Sequence, residues 1–283
     1  MTGLFTFLSR LPLAWLHRIG AALGWLAYAL SGRYRKHFRA NLAQAGFDEP
    51  RIRRAAIAAA GKSVMELPAI WLRPHAEVAG WVRELVGREV YDEAAARGRG
   101  VMFLTPHLGC FDVTAQFFTH GFGPMTVLYR PPRQPWLQPV MDAGRNRPNM
   151  AAAATDMKGV RTLLRALKAR EAVGMLPDQV PSRGEGEWAD FFGRSAYTMT
   201  LAARLIESTG AAIVLAYGER LPGGRGYRLH AQRMPERLEG ESAARWINRA
   251  MEGVIRQCPE QYLWAYNRYK VPAGVAPPGA STS

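Results

Sequence analysis

The chain has 283 residues, 37 of them basic and 23 acidic, for a formal charge of +14, and 48% are hydrophobic. Its length suits one large domain or two modest ones. With only 21% charged residues and 19 prolines outside any repeat, the composition excludes a disordered or a fibrous chain. The positive charge lies in two blocks: residues 1–54 and residues 125–170 each hold nine Lys/Arg against two acids, and the remainder is balanced. Two separate anionic partners are therefore expected. Nucleic acid is not one of them, because neither block carries an RNP, helix-turn-helix or zinc-finger pattern. Cys110 and Cys258 lie far apart and outside any CxxC, and the six histidines show no HxxxH or HExxH spacing. Neither a disulfide scaffold nor a metal is expected, and a reduced cytosolic compartment is the default.

Leu4 to Leu30 is rich in Leu, Ala, Trp and Phe but is interrupted by Arg10, His17 and Arg18. Its charge-free run, Ile19 to Leu30, is shorter than the roughly 20 residues that cross a bilayer. Thr6, Arg10, His17, Ala21 and Gly24 share a narrow polar or small helical face, and the rest is apolar, with Trp15, Trp25 and Tyr28 suited to an interface. Such a helix lies in a membrane surface or enters it obliquely. The cluster Arg33, Arg35, Lys36 and Arg39 that follows suits anionic lipid. The alternative is a buried amphipathic helix with a solvated basic turn. A further helix is expected from about Arg51 to Leu72.

From residue 98 short apolar runs alternate with helical stretches. Strands are expected at Val101–Thr105, Met125–Tyr129, Ala172–Leu176, Ala212–Tyr217 and Tyr227–Ala231, with helices near 113–119, 136–147, 157–169, 197–209 and Ser242–Cys258. The fold class is α/β, with a mixed, largely parallel central sheet flanked by helices and an N-terminal membrane-associated helix. Pro222, Gly223 and Gly224 mark an antiparallel hairpin between the last two strands. Chemistry in open α/β sheets gathers beyond the carboxyl ends of strands. His107, Arg130 and Asp178 each follow such an end, so parallel neighbouring strands would bring them together.

His107 and Asp112 form an H-x4-D spacing. Five helical residues turn the chain by about 500°, so the two cannot share a helix face. They meet if His107 sits on a strand-to-helix turn, Gly109 permits the bend and Asp112 opens the next helix. The carboxylate then fixes the imidazole tautomer and leaves the other nitrogen as a base. Alternatively, Asp112 is simply a helix N-cap.

The run Gly98-Arg-Gly100-Val-Met-Phe-Leu-Thr-Pro-His107-Leu-Gly109-Cys-Phe-Asp112 closely resembles the signature of the bacterial lipid A biosynthesis acyltransferases, the late acyltransferases of lauroyl and myristoyl type, within the wider H-x4-D/E glycerolipid acyltransferases. Asn41-Leu42, Glu66, Tyr129-Arg130-Pro131, Gly144-Arg145-Asn146-Arg147, Leu176-Pro177-Asp178-Gln179, Phe191-Phe192-Gly193 with Thr198, Pro259 to Trp264 and Arg268-Tyr269-Lys270 also fit, in order along nearly the whole chain.

The resemblance implies secondary acylation in lipid A biosynthesis: a fatty acyl chain moves from acyl carrier protein to a hydroxyl of a lipid A precursor. It implies no cofactor, and places the enzyme on the cytoplasmic face of the anionic inner membrane. Residues 1–32 are then the anchoring helix, 33–270 the acyltransferase domain and 271–283 a flexible tail. The family's catalytic pair falls on His107 and Asp112. Arg130, Arg145, Arg147, Asp178 and Gln179 are candidates for the oxyanion or substrate, with the backbone amides after His107 as further oxyanion donors. Asp178 either binds an acceptor hydroxyl or holds Arg145. Arg133 and the row Lys158, Arg161, Arg165, Lys168 and Arg170 suit phosphate or the carrier protein, or are merely solvated. Typical members carry Glu at the position of Asp112, and several carry a second Asp at that of Val180. The same chemistry on another glycolipid or phospholipid is the alternative, and a Cys110 acyl-enzyme is a rival mechanism.

Overall fold

The structure, a computed structural model, describes residues 2–132, 134–145 and 147–279. Arg133, Asn146 and the last residues of the expected tail, 280–283, lie outside the described residues.

The chain opens with helices α1 (Thr2–Arg10), α2 (Leu13–Leu30), α3 (Gly32–Gln44), α4 (Pro50–Met65), α5 (Leu67–Leu72) and α6 (His75–Ala79). Strand β1 (Val82–Val86) and helix α7 (Arg88–Ala96) follow, then β2 (Val101–Leu104), α8 (Phe111–Gly121), β3 (Met125–Tyr129), α9 (Gln138–Arg145), β4 (Met150–Ala154), α10 (Met157–Lys168) and β5 (Ala172–Met175). The last third holds β6 (Gly186–Phe191), β7 (Arg194–Met199), α11 (Leu201–Thr209), β8 (Ala212–Arg220), β9 (Tyr227–Arg233) and α12 (Ala243–Ile255).

Seven strands form one sheet in the order β1-β9-β8-β2-β5-β3-β4. The five from β8 to β4 are parallel, and β9 returns antiparallel to β8 through the expected Pro222–Gly224 turn. The central strand β2 reads Val-Met-Phe-Leu because both faces are covered. Met102 and Leu104 face the core that also contains Leu163, Met175, Ile247 and Trp264; Val101 and Phe103 face the core of Val113, Phe118, Val214 and Leu229.

Four strands escape the sequence reading, each for a local reason. Strand β4 is mostly alanine, which favours helix. Strand β1 carries Arg83 and Glu84 on a sheet edge. Strands β6 and β7 form a separate hairpin whose two-residue turn, Phe192-Gly193, has positive φ at both positions. As a result the helix expected from 197 starts at Leu201, because Tyr197 to Met199 complete β7.

The N-terminal stretch is two helices, broken at Pro12. The small face of α2 turns inward: His17, Gly20 and Gly24 are buried against α4. A Cβ on Gly61 would stand 1.9 Å from the Gly20 carbonyl oxygen, so only glycine permits this approach. The apolar face of α1 and α2 points outward, with Leu4, Phe7, Trp15, Leu26 and Leu30 all more than half exposed. The stretch long and apolar enough to cross a membrane, among the described residues, is Pro50–Leu72 and not the N-terminus. Just over half of it is buried in the protein.

Glu66, between α4 and α5, is buried with its counter-charge. The Arg220 guanidinium donates to both of its oxygens at 2.7–2.9 Å, and Tyr227 Oη and His17 Nε2 lie 2.9 and 3.0 Å from Oε2. Burial alone raises a carboxyl's pKa, but Arg220 and the His17 hydrogen bond outweigh it and bring Glu66 from 4.5 to about 2. Because the folded value lies below the unfolded one, the stabilisation is present above about pH 4.5 and is lost as the pH falls toward 2, on the order of 3 kcal/mol in all. Urea unfolding at pH 5, 4 and 3 should therefore show a shallower acid loss in Glu66→Gln than in the wild type, from a lower starting stability. Equal slopes contradict this account of the pair.

Candidate active site

The site starts from a register. Leu104 at the end of β2 pairs with Met175 at the end of β5, and His107 and Asp178 each stand three residues further on. The amide of Thr105 donates to the Met175 carbonyl at 3.1 Å, which extends the ladder by one rung. Pro106 and Pro177 then favour extended backbone before them and carry both chains straight out of the sheet.

Asp178 grips His107 twice. Oδ2 accepts from the His107 backbone N–H at 2.9 Å, and Oδ1 lies 2.7 Å from Nδ1. A carboxylate there assigns the ring proton to Nδ1 and leaves the lone pair on Nε2. The Gln179 amide donates to that lone pair at 3.0 Å. Asp178 is 1% exposed. Burial by itself would raise its pKa, but the His107 ring, the His107 amide and the Tyr262 hydroxyl hold it below the usual range.

The turn after His107 is strapped on both sides. The Leu263 amide donates to the His107 carbonyl at 3.0 Å, Gly109 N–H to the Gln261 carbonyl at 3.1 Å, and Cys110 N–H to the Gly218 carbonyl at 2.8 Å. Gly109 bends the chain as expected, with φ +58°, and a Cβ there would lie 1.9 Å from the Gly218 oxygen. The backbone amides expected to serve an oxyanion are consequently occupied. Those of Leu108, Gly109 and Cys110 all donate to carbonyls of the protein.

The other predicted residues separate into groups. Asp112 lies in the first turn of α8, whose N-cap is Cys110, so Asp112 is not the cap. It is not on the ring either, since both imidazole nitrogens have other partners. Burial raises its pKa, and the strongest opposing influence is the charge of Arg145. Arg145, at the end of α9, stacks its guanidinium over Tyr129 at 4.9 Å and keeps one buried nitrogen without a hydrogen-bond partner. Such a donor is costly unless a ligand completes it. Arg147 is committed elsewhere: it donates to the carbonyls of Trp71 and Arg73, at 2.5 and 2.8 Å, at the end of α5. Arg130 is exposed beyond β3, two strands from His107.

Arg220 and Tyr262 complete the surroundings and were not singled out for a role in the sequence. The signal for Arg220 was Glu66, an acid at the junction of α4 and the wholly apolar α5, which needs a counter-charge once buried. Asn41 and Arg268 are struts. Asn41 donates to the carbonyls of Trp264 and Tyr266, and Arg268 to Tyr197 and Thr198.

Residues 1–271 match the family described as bacterial lipid A biosynthesis acyltransferase. The chain is 28% identical to the lipid A biosynthesis lauroyltransferase of Escherichia coli (strain K12), over 96% of this chain and 91% of that protein. It is 30% identical to the lipid A biosynthesis palmitoleoyltransferase of the same organism, over 74% of this chain and 68% of the relative. The myristoyltransferase of that organism is 25% identical over 63% of this chain and 56% of its own length. A match that runs from α1 past both strands of the His107–Asp178 pair settles membership: the chain is an acyltransferase of the bacterial lipid A biosynthesis family.

Proposed function

We propose that this enzyme moves a fatty acyl chain from the thioester of acyl carrier protein to a hydroxyl of a lipid A precursor, with His107 as the general base. The observation that carries the reading is the double hydrogen bond from His107 to Asp178, which leaves Nε2 free to take a proton once Gln179 gives way. The acceptor hydroxyl displaces the Gln179 amide and loses its proton to Nε2 while its oxygen attacks the thioester carbonyl. The imidazolium is balanced by Asp178. The tetrahedral intermediate then collapses, and the departing thiolate takes the proton back.

The oxyanion falls to Arg145, which has a donor to spare where the turn amides have none. The charge of Arg145 is the strongest influence opposing the burial of Asp112, so the two carboxylates divide between two tasks: Asp178 orients the base, and Asp112 balances the cation. Cys110 is a poor nucleophile, because burial pushes its thiol well above the ordinary range and the Glu66 charge adds to this.

The surface fits a membrane and a carrier protein. The outward apolar face of α1 and α2 lies beside exposed Arg33, Arg35, Lys36 and Arg39 of α3, a pairing that suits the anionic cytoplasmic face of the inner membrane. Lys158, Arg161, Arg165 and Lys168 are exposed along α10, and with Arg130 they suit an acidic carrier.

Deleting the gene should remove one acyl chain from lipid A by mass spectrometry, and the wild-type gene should restore it with the enzyme in the membrane pellet. Trp15→Ser, Leu26→Ser and Leu30→Ser together should shift the enzyme to the supernatant. Unchanged lipid A, in a strain without a second such enzyme, points to another glycolipid or phospholipid acceptor; unchanged sedimentation contradicts the membrane reading.

Kinetics separate the two carboxylates. Asp178→Asn should lower kcat by about 10²- to 10⁴-fold with KM little changed. Asp112→Asn should add no loss to Arg145→Gln, because the two act as a unit. Independent losses at Asp112 and Arg145, or a fully active Asp178→Asn, overturn the division.

A further inference from the structure

The catalytic turn rests on a charge that the chemistry does not use. Arg220 Nη2 donates to the Gly109 carbonyl at 2.5 Å, two residues after His107, while the same guanidinium donates to both oxygens of Glu66. Arg220 is 5% exposed and Glu66 1% exposed. At the end of β8, the Arg220 amide also donates to Gln261 Oε1 at 2.8 Å, and Gln261 accepts the Gly109 amide on its own carbonyl. The peptide groups on both sides of Gly109 are thus fixed by one assembly. Through Glu66 that assembly reaches His17 of α2, so a residue of the outward-facing N-terminal helix pair ends the same chain of hydrogen bonds.

We propose that Glu66 and Arg220 are positioning residues for the transfer reaction: the ion pair aims a guanidinium N–H at the Gly109 carbonyl and so sets where His107 stands relative to Asp178. A purely stabilising pair needs no third partner in the active-site turn. A carbonyl at a positive-φ glycine, buried beside Gly218, has its amide neighbours already donated and, among the described residues, takes its hydrogen bond from Arg220. The guanidinium fork suits this double duty, since one face binds the carboxylate and a remaining N–H reaches the turn. Lysine keeps the charge but cannot serve both with the same geometry.

The inference rests on His107 as the base, and the experiment separates the two. Purified wild type, His107→Ala, Arg220→Lys and the double variant Glu66→Leu/Arg220→Met are assayed for acyl transfer, with thermal melting of each. Apolar replacement of a buried pair commonly preserves stability, so the double variant distinguishes a structural from a positioning role. We expect both Arg220 variants to remain folded, with kcat at least tenfold lower and both substrate KM values within twofold. Restored melting without restored turnover in the double variant marks positioning. Wild-type kcat in either folded variant overturns the proposal; should the double variant not fold, Arg220→Lys decides. An active His107→Ala instead overturns the base assignment and leaves the Arg220 result to be read separately.

Discussion

Two parallel strands in register carry His107 and Asp178 out of the sheet side by side, and everything else in the site depends on that pairing. Because β2 and β5 are neighbours, equal three-residue extensions past Leu104 and Met175 bring an imidazole and a carboxylate to hydrogen-bond distance. No loop has to search for the arrangement. The proline in each extension limits the backbone further, and the carboxylate closes on both the ring and the backbone of its partner. An active site built this way inherits the rigidity of a sheet buried on both faces.

The second constraint is a buried acid. Glu66, buried at the junction of α4 and α5, would be intolerable alone, and its answer, Arg220, comes from 154 residues further along the chain, on β8. That pairing ties three parts of the molecule together: the N-terminal helices through His17, strand β9 through Tyr227, and the catalytic turn through Gly109. The close glycine contact between α2 and α4 has the same effect at the level of backbone. The apolar surface of α1 and α2 is therefore attached firmly to the body of the enzyme rather than carried on a tether.

Much of this was legible in the sequence. The alternating strands and helices, the Gly223 hairpin, Gly109 at the bend and the convergence of His107 and Asp178 follow from local patterns and one rule about strand ends. What local patterns missed was set by distant partners. Asp112 was expected on the imidazole through the turn between them, but α8 begins at Phe111 and both ring nitrogens of His107 have other partners, Asp178 and Gln179. Arg147 looked like an oxyanion or substrate ligand, yet the carbonyls at the end of α5 occupy it. The short strands β1 and β4 lack the apolar, β-branched signature of interior strands, and only their place in the sheet identifies them.

The identity of the carboxylate on His107 is the central claim, and nitrogen-15 histidine NMR reads it directly. With His107 assigned through His107→Gln, its Nδ1 should carry the proton, seen as a strongly deshielded ring resonance. That resonance should be lost in Asp178→Asn and kept in Asp112→Asn. A resonance that survives Asp178→Asn and disappears in Asp112→Asn would contradict the account and return the orienting role to Asp112.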